Sequence, residues 1–139
     1  MNARRHKRIV HYCSLLKMRS WDNKDVINYL DAYFENPKSA NCMFLRKKIL
    51  QLELDNITDS IINYINGEER DFNEYKTHYP DTPDELIWAK VYDDYDKLIN
   101  KHIAEAKDVA RTDTAAKGCF YFSYLIPVII LIMVLCNNC

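Results

Sequence analysis

Apolar side chains recur along most of this chain at alternating steps of three and four, the spacing of one helix face. The first such set is Ile9, Tyr12, Cys13, Leu15 and Leu16, which predicts a basic amphipathic helix over residues 3–18. Val26, Tyr29, Leu30, Tyr33 and Phe34 mark a second helix, with Asp22 or Asn23 as its cap and Pro37 as its end. A third helical stretch is expected from about Ala40 to Asn66, with Leu50, Leu54, Ile57, Ile61 and Tyr64 on one seam. It is expected to break near Asp55-Asn56 and to stop at Gly67. "EERDFNEYKTHYPD" reads as a polar connector holding at most one short helix. "TPDE" then forms a capping box, with Thr82 at the cap, Pro83 and Asp84 in the first turn and Glu85 three residues on. A long helix follows to about Arg111, its stripe made by Trp88, Tyr92, Tyr95, Ile99, His102, Ala106 and Val109. Stripes of this kind bury one another in an all-α bundle of four to five helices.

One stretch breaks the rhythm. The 18 residues from Cys119 to Cys136 carry no charge and are apolar on all sides, which a surface helix of a small domain is not. As a helix the run spans about 27 Å, near the thickness of an endoplasmic-reticulum bilayer. Tyr121 and Tyr124 stand near its start, where aromatic rings favour the headgroup zone, and Pro127 is tolerated in a membrane helix. Lys107, Arg111 and Lys117 precede it, which places the N-terminal side in the cytosol. The expected organisation is a cytosolic helical domain over 1–113, a juxtamembrane linker over 114–118 and a transmembrane tail anchor over 119–136. A buried central helix of a soluble bundle is the competing reading of the same run. The endoplasmic reticulum or secretory pathway is the expected site, with the mitochondrion as alternative. Cys119, at the cytosolic border, is a candidate for palmitoylation. The terminal "CNNC" lacks the aliphatic residues of a prenylation box and the context of a redox pair.

Composition narrows the class further. Two Gly and four Pro are too few for an all-β fold with its frequent turns. The abundance of Ile, Asn, Lys, Asp and Tyr suits an AT-rich genome, viral or parasitic. A net charge of −1 conceals strong segregation. Residues 1–20 carry Arg4, Arg5, Lys7, Arg8, Lys17 and Arg19 with no acid, whereas residues 53–96 hold thirteen acids against Arg70, Lys76 and Lys90. Arg4, Arg5, Lys7 and Arg8 are therefore candidate contacts to anionic lipid. The same acid-free start would also suit a mitochondrial presequence. Five cysteines at irregular spacing, with no apolar signal sequence, point to free thiols in a reducing compartment.

Candidate chemistry is sparse. His6, His11 and Cys13 could each ligate a metal but lack a paired zinc motif. Asp93, Asp94 and Asp96 cluster without the Gly-centred turn of a calcium loop, and two glycines cannot make a phosphate loop. Neither an enzyme nor a cofactor is expected, nor is nucleic acid as a partner. The aromatic positions Trp88, Tyr92 and Tyr95 are the candidate interaction face. The expectation is a non-enzymatic scaffolding module at an organelle membrane, with lipid around the C-terminal helix and another, helical protein on the bundle. In outline the layout resembles the tail-anchored apoptosis regulators of the B-cell-lymphoma family, which implies a groove for a partner helix, although their Asn-Trp-Gly-Arg signature is missing. Residues 88–109 before the apolar run also resemble the arrangement of membrane-fusion SNARE proteins, over about three heptads, which Pro80 and Pro83 prevent from extending backward.

Overall fold

The computed structural model describes residues 2–16 and 23–116, and it is all-helical over them, with five helices and no strand. They are α1 (Ala3–Leu15), α2 (Asn23–Glu35), α3 (Ala40–Gln51), α4 (Asp55–His78) and α5 (Asp84–Ala116). The helices run alternately down and up. Cross-contacts fix the directions: Lys48 of α3 pairs with Asp25 of α2 at 3.0 Å, and Arg46 reaches Tyr29 at 3.3 Å. Tyr64 and Phe72 of α4 meet His102 and Trp88 of α5 in reverse order, which makes that pair antiparallel. At about 50 Å, α5 is longer than the 36 Å or so of α4 and continues past the level where α4 begins.

Several starts and stops have a local cause. The Asn2 side chain caps α1 by accepting from the Arg5 amide at 3.1 Å. Ser39 caps α3 in the same way, accepting from the Cys42 amide at 3.1 Å. α2 ends at Glu35, two residues before Pro37, as the sequence predicts. α5 begins at Asp84, so the first helical carbonyl acceptor is that of Pro83, one residue beyond the expected Thr82 cap.

The stretch expected over 40–66 is where structure and sequence part. The break falls at 52–54, ahead of Asp55-Asn56. Leu54 N–H donates to Ile49 O and Glu53 N–H to Leu50 O, both at 3.1 Å, while Glu53 adopts a left-handed φ of 58°. This is the double hydrogen bond that closes many helices, made here with glutamate where glycine is usual. The break resets the phase of the seam. Ile49 is buried at 1% exposure, whereas Leu50, expected on the seam, is 45% exposed. α4 then runs through Gly67, which is no stop, and through most of "EERDFNEYKTHYPD", which is no connector. Gly67 instead lets α5 come close: a β-carbon there would lie 3.0 Å from Tyr95 Cζ and 3.1 Å from Cε1.

The main core joins all five helices. Ile9, Tyr12 and Leu16 of α1 and its end meet Val26 and Leu30 of α2, Ile49 of α3, Ile57, Ile61 and Ile65 of α4, and Ile99 of α5. Each such side chain contributes about 1.5–3 kcal/mol by leaving water. A smaller cluster of Ile87, Val91 and Tyr95 closes the α4–α5 hairpin near its turn. Among the described residues no helix is long and apolar enough to cross a membrane. Residues 119–136, with Cys119, Tyr121, Tyr124, Pro127 and Cys136, lie outside the described residues.

Candidate functional site

The two candidate sites that the sequence keeps apart, the arginines of α1 and the aromatic stripe of α5, pack on each other. The Arg4 guanidinium lies 3.5 Å from the centre of the Trp88 ring, and Arg8 lies 4.3 Å from that of Tyr92. Trp88 is stacked between Phe72, at 4.1 Å and 9°, and Tyr92, at 5.6 Å. Arg5 donates to Glu69 at 2.8 Å and covers Phe34. Arg4, Arg5 and Arg8 are thus engaged inside the bundle, while Lys7 points to solvent. Tyr95 is buried against Gly67, and Trp88 and Tyr92 are half-buried.

At the centre of this seam lies a buried ionic cluster. Glu68 of α4, 1% exposed, accepts from Arg8 Nε at 3.0 and 3.2 Å and from the Tyr12 hydroxyl. Arg8 Nη2 also donates to Tyr12 at 3.1 Å and to Asp96 at 3.0 Å, and His11 Nε2 sits 3.0 Å from the same Asp96 oxygen. Burial lifts the Glu68 carboxyl above its ordinary range, and the hydrogen bonds from Arg8 and Tyr12 only partly pull it back. For Arg8, burial opposes the charge, but Glu68 outweighs it and holds the guanidinium above its usual value. Tyr12 is pushed up by burial and then by the neighbouring carboxylate. Glu68, Arg8, Tyr12 and Asp96 are thus joined in one hydrogen-bonded network, so the cluster holds α1, α4 and α5 in register.

The remaining polar candidates disperse. His6 Nδ1 lies 2.8 Å from Asp31 Oδ2, His11 belongs to the Asp96 pair, and Cys13 is fully buried with its thiol pushed up to about 12, chiefly by burial. Among the described residues no group of three His, Cys, Asp or Glu side chains could hold a metal ion. Asp93 pairs with Lys97 at 2.9 Å and Asp94 with Lys90 at 2.6 Å, while Asp96 turns inward to Arg8.

The surface that the sequence reading passes over is on α3. Cys42, Leu45 and Ile49, at steps of three and four, face α2 and the core. On the other side Met43 is 57%, Phe44 69% and Leu50 45% exposed, with Leu52 following at 43%. Arg46, Lys47 and Lys48 stand among them, and α3 contains no acid. The clue is the leftover set: once 42, 45 and 49 are taken as the inner face, Met43, Phe44 and Leu50 have nowhere to go. An opening of about 270 Å³ lies near the α4–α5 turn between Tyr79, Leu86 and Ile87, with Tyr79 and Leu86 about 60% exposed. Compared with family models, with curated proteins and with solved structures, the chain finds no match.

Proposed function

We propose that this chain is a membrane-tethered, non-enzymatic helical module that binds another protein. Residues 119–136 form its single pass through the bilayer, and the bundle stands on the cytosolic side. The uncharged run and the basic Lys107, Arg111 and Lys117 before it support the tether and its direction. The outer face of α3 carries the binding part of the reading. Large apolar side chains gathered on one exposed helix face, in a bundle that buries its other stripes well, mark a contact surface. The tether raises the local concentration of the module at the membrane, and α3 supplies the contact. The aromatic stripe of α5, which outlines a fusion-type helix in the sequence, packs on α1 and α4, with Trp88 and Tyr92 half-buried.

The test has two arms. Protease protection of the chain with an N-terminal tag and a C-terminal glycosylation site is expected to show a digested N-terminus and a glycosylated C-terminus; a carbonate-soluble chain overturns the tether. A photo-crosslinking residue in place of Phe44 is expected to give discrete protein adducts in cells, and one in place of the exposed Asn73 on α4 none. Absence of adducts at position 44 overturns the docking face whatever the first arm returns.

A further inference from the structure

α3 lies at an edge of the bundle and packs chiefly on α2, yet it has apolar residues on both sides, which is the composition of an inner helix. Met43, Lys47 and Leu50 follow one another at steps of four and three on the outer side, with Phe44 beside them. Arg46 reaches Tyr29 and Lys48 pairs with Asp25, but Lys47, exposed at the middle of the stripe, has no ion-pair partner among the described residues. We infer that the outer face of α3 takes an acidic amphipathic helix of another protein, packed as a sixth helix alongside it. This rests on the reading of α3 as a docking face.

Two features select that occupant, and two other occupants fit less well. An apolar face of three side chains over two turns matches a helix carrying its own apolar residues at i, i+3 or i+4, and i+7. The unopposed Lys47, flanked by Arg46 and Lys48, calls for carboxylates at the rim of that face. A second copy of the chain fits poorly, because a two-fold axis across the stripe sets Lys47 and its neighbours against their own copies. The bilayer fits poorly as well: Arg46 and Lys48, which would serve anionic headgroups, are already taken by Tyr29 and Asp25, and a single remaining lysine adds only weak attraction to a lipid surface.

The test is a selection from a library of amphipathic helical peptides against the full chain held in lipid nanodiscs. The enriched peptides are expected to carry Asp or Glu beside an apolar stripe. They should lose about tenfold or more in affinity on Lys47→Glu, and more on Phe44→Ser. The Lys47→Glu chain should in turn enrich basic peptides. Both positions are exposed, so neither change threatens the fold, and circular dichroism checks that it is kept. Enrichment of neutral or basic peptides, binding indifferent to position 47, or no enrichment at all overturns the inference. Protein adducts at position 44 in cells that are unaffected by Lys47→Glu overturn it while leaving the docking face standing. Adducts between two copies of the chain favour self-association and overturn it too.

Discussion

Glu53 shows how a single backbone angle divides the molecule. A side chain in the left-handed region costs on the order of 1–2 kcal/mol relative to the right-handed one, and glycine escapes most of that. Glu53→Gly is therefore expected to stabilise the bundle by about 1 kcal/mol, read as a higher denaturant midpoint with an unchanged slope. A lower midpoint would mean that the Glu53 side chain itself holds the α3–α4 corner. The same residue explains why the break is hard to place from sequence. Asp55-Asn56 and Gly67 are the conventional signals; the first lies just past the break, with Asp55 opening α4, and the second is no stop. Glu68 hides the rest of α4 in a similar way. It occupies a core position between Ile65 and Phe72, and a glutamate there interrupts the apolar rhythm, so "EERDFNEYKTH" reads as a connector. What makes Glu68 a core residue is Arg8, sixty positions earlier, which no local pattern reveals.

α1 is joined to α4 and α5 by that pair as much as by its apolar stripe. Glu68→Ala leaves the Arg8 guanidinium buried with Asp96 as its remaining carboxylate, and a loss of about 3–5 kcal/mol is expected in equilibrium unfolding. Arg8→Met combined with Glu68→Leu should recover most of it, because neither charge is then taken out of water. If the double variant is as unstable as the single one, the cluster contributes through more than the pair. The pH dependence has a definite sign. The folded Glu68 carboxyl lies above its ordinary 4.5, so its contribution to stability is fully present below about 4.5 and is lost as pH rises through the raised value. Glu68→Gln should remove that fall, leaving a flatter stability profile than the parent as pH rises above about 4.5. The stripe of α5 was legible as a stripe. That arginines of α1 cover it was not, since a row of basic residues reads equally well as a solvated or lipid-facing helix end.

In the molecule as a whole, the α1 and α2 faces and the all-helical class were readable from spacing alone, while the α5 stripe was read in part, without the buried Ile87 and Val91. The exposed apolar face of α3 was not, because an exposed Met or Phe beside a buried Cys or Ile is visible only once the phase of α3 is known. The five-way core predicts a cooperative unit. Cys13 is fully buried and its thiol is pushed up to about 12 from an ordinary 9.0, so iodoacetamide should spare it in the folded chain at neutral pH. Peptide mapping along a denaturant series should show Cys13 modified in step with the loss of helical signal. Modification well before that midpoint would reveal that α1 detaches by itself.

That attachment of α1 has a further consequence, for the order in which the chain can be built. Ile9 and Leu16 share a core with Ile99 and Ala106, and Arg8 bonds to Asp96. The residues between Leu16 and Ala106 take roughly 5–20 seconds to synthesise. Of the neighbours that cover the first helix, α2 is made directly after it, α4 follows, and the α5 residues that complete its seam come last. The nascent chain can therefore pair its first helices early, but the ionic seam of Arg8 and Asp96 and the core around Ile99 close only when α5 arrives.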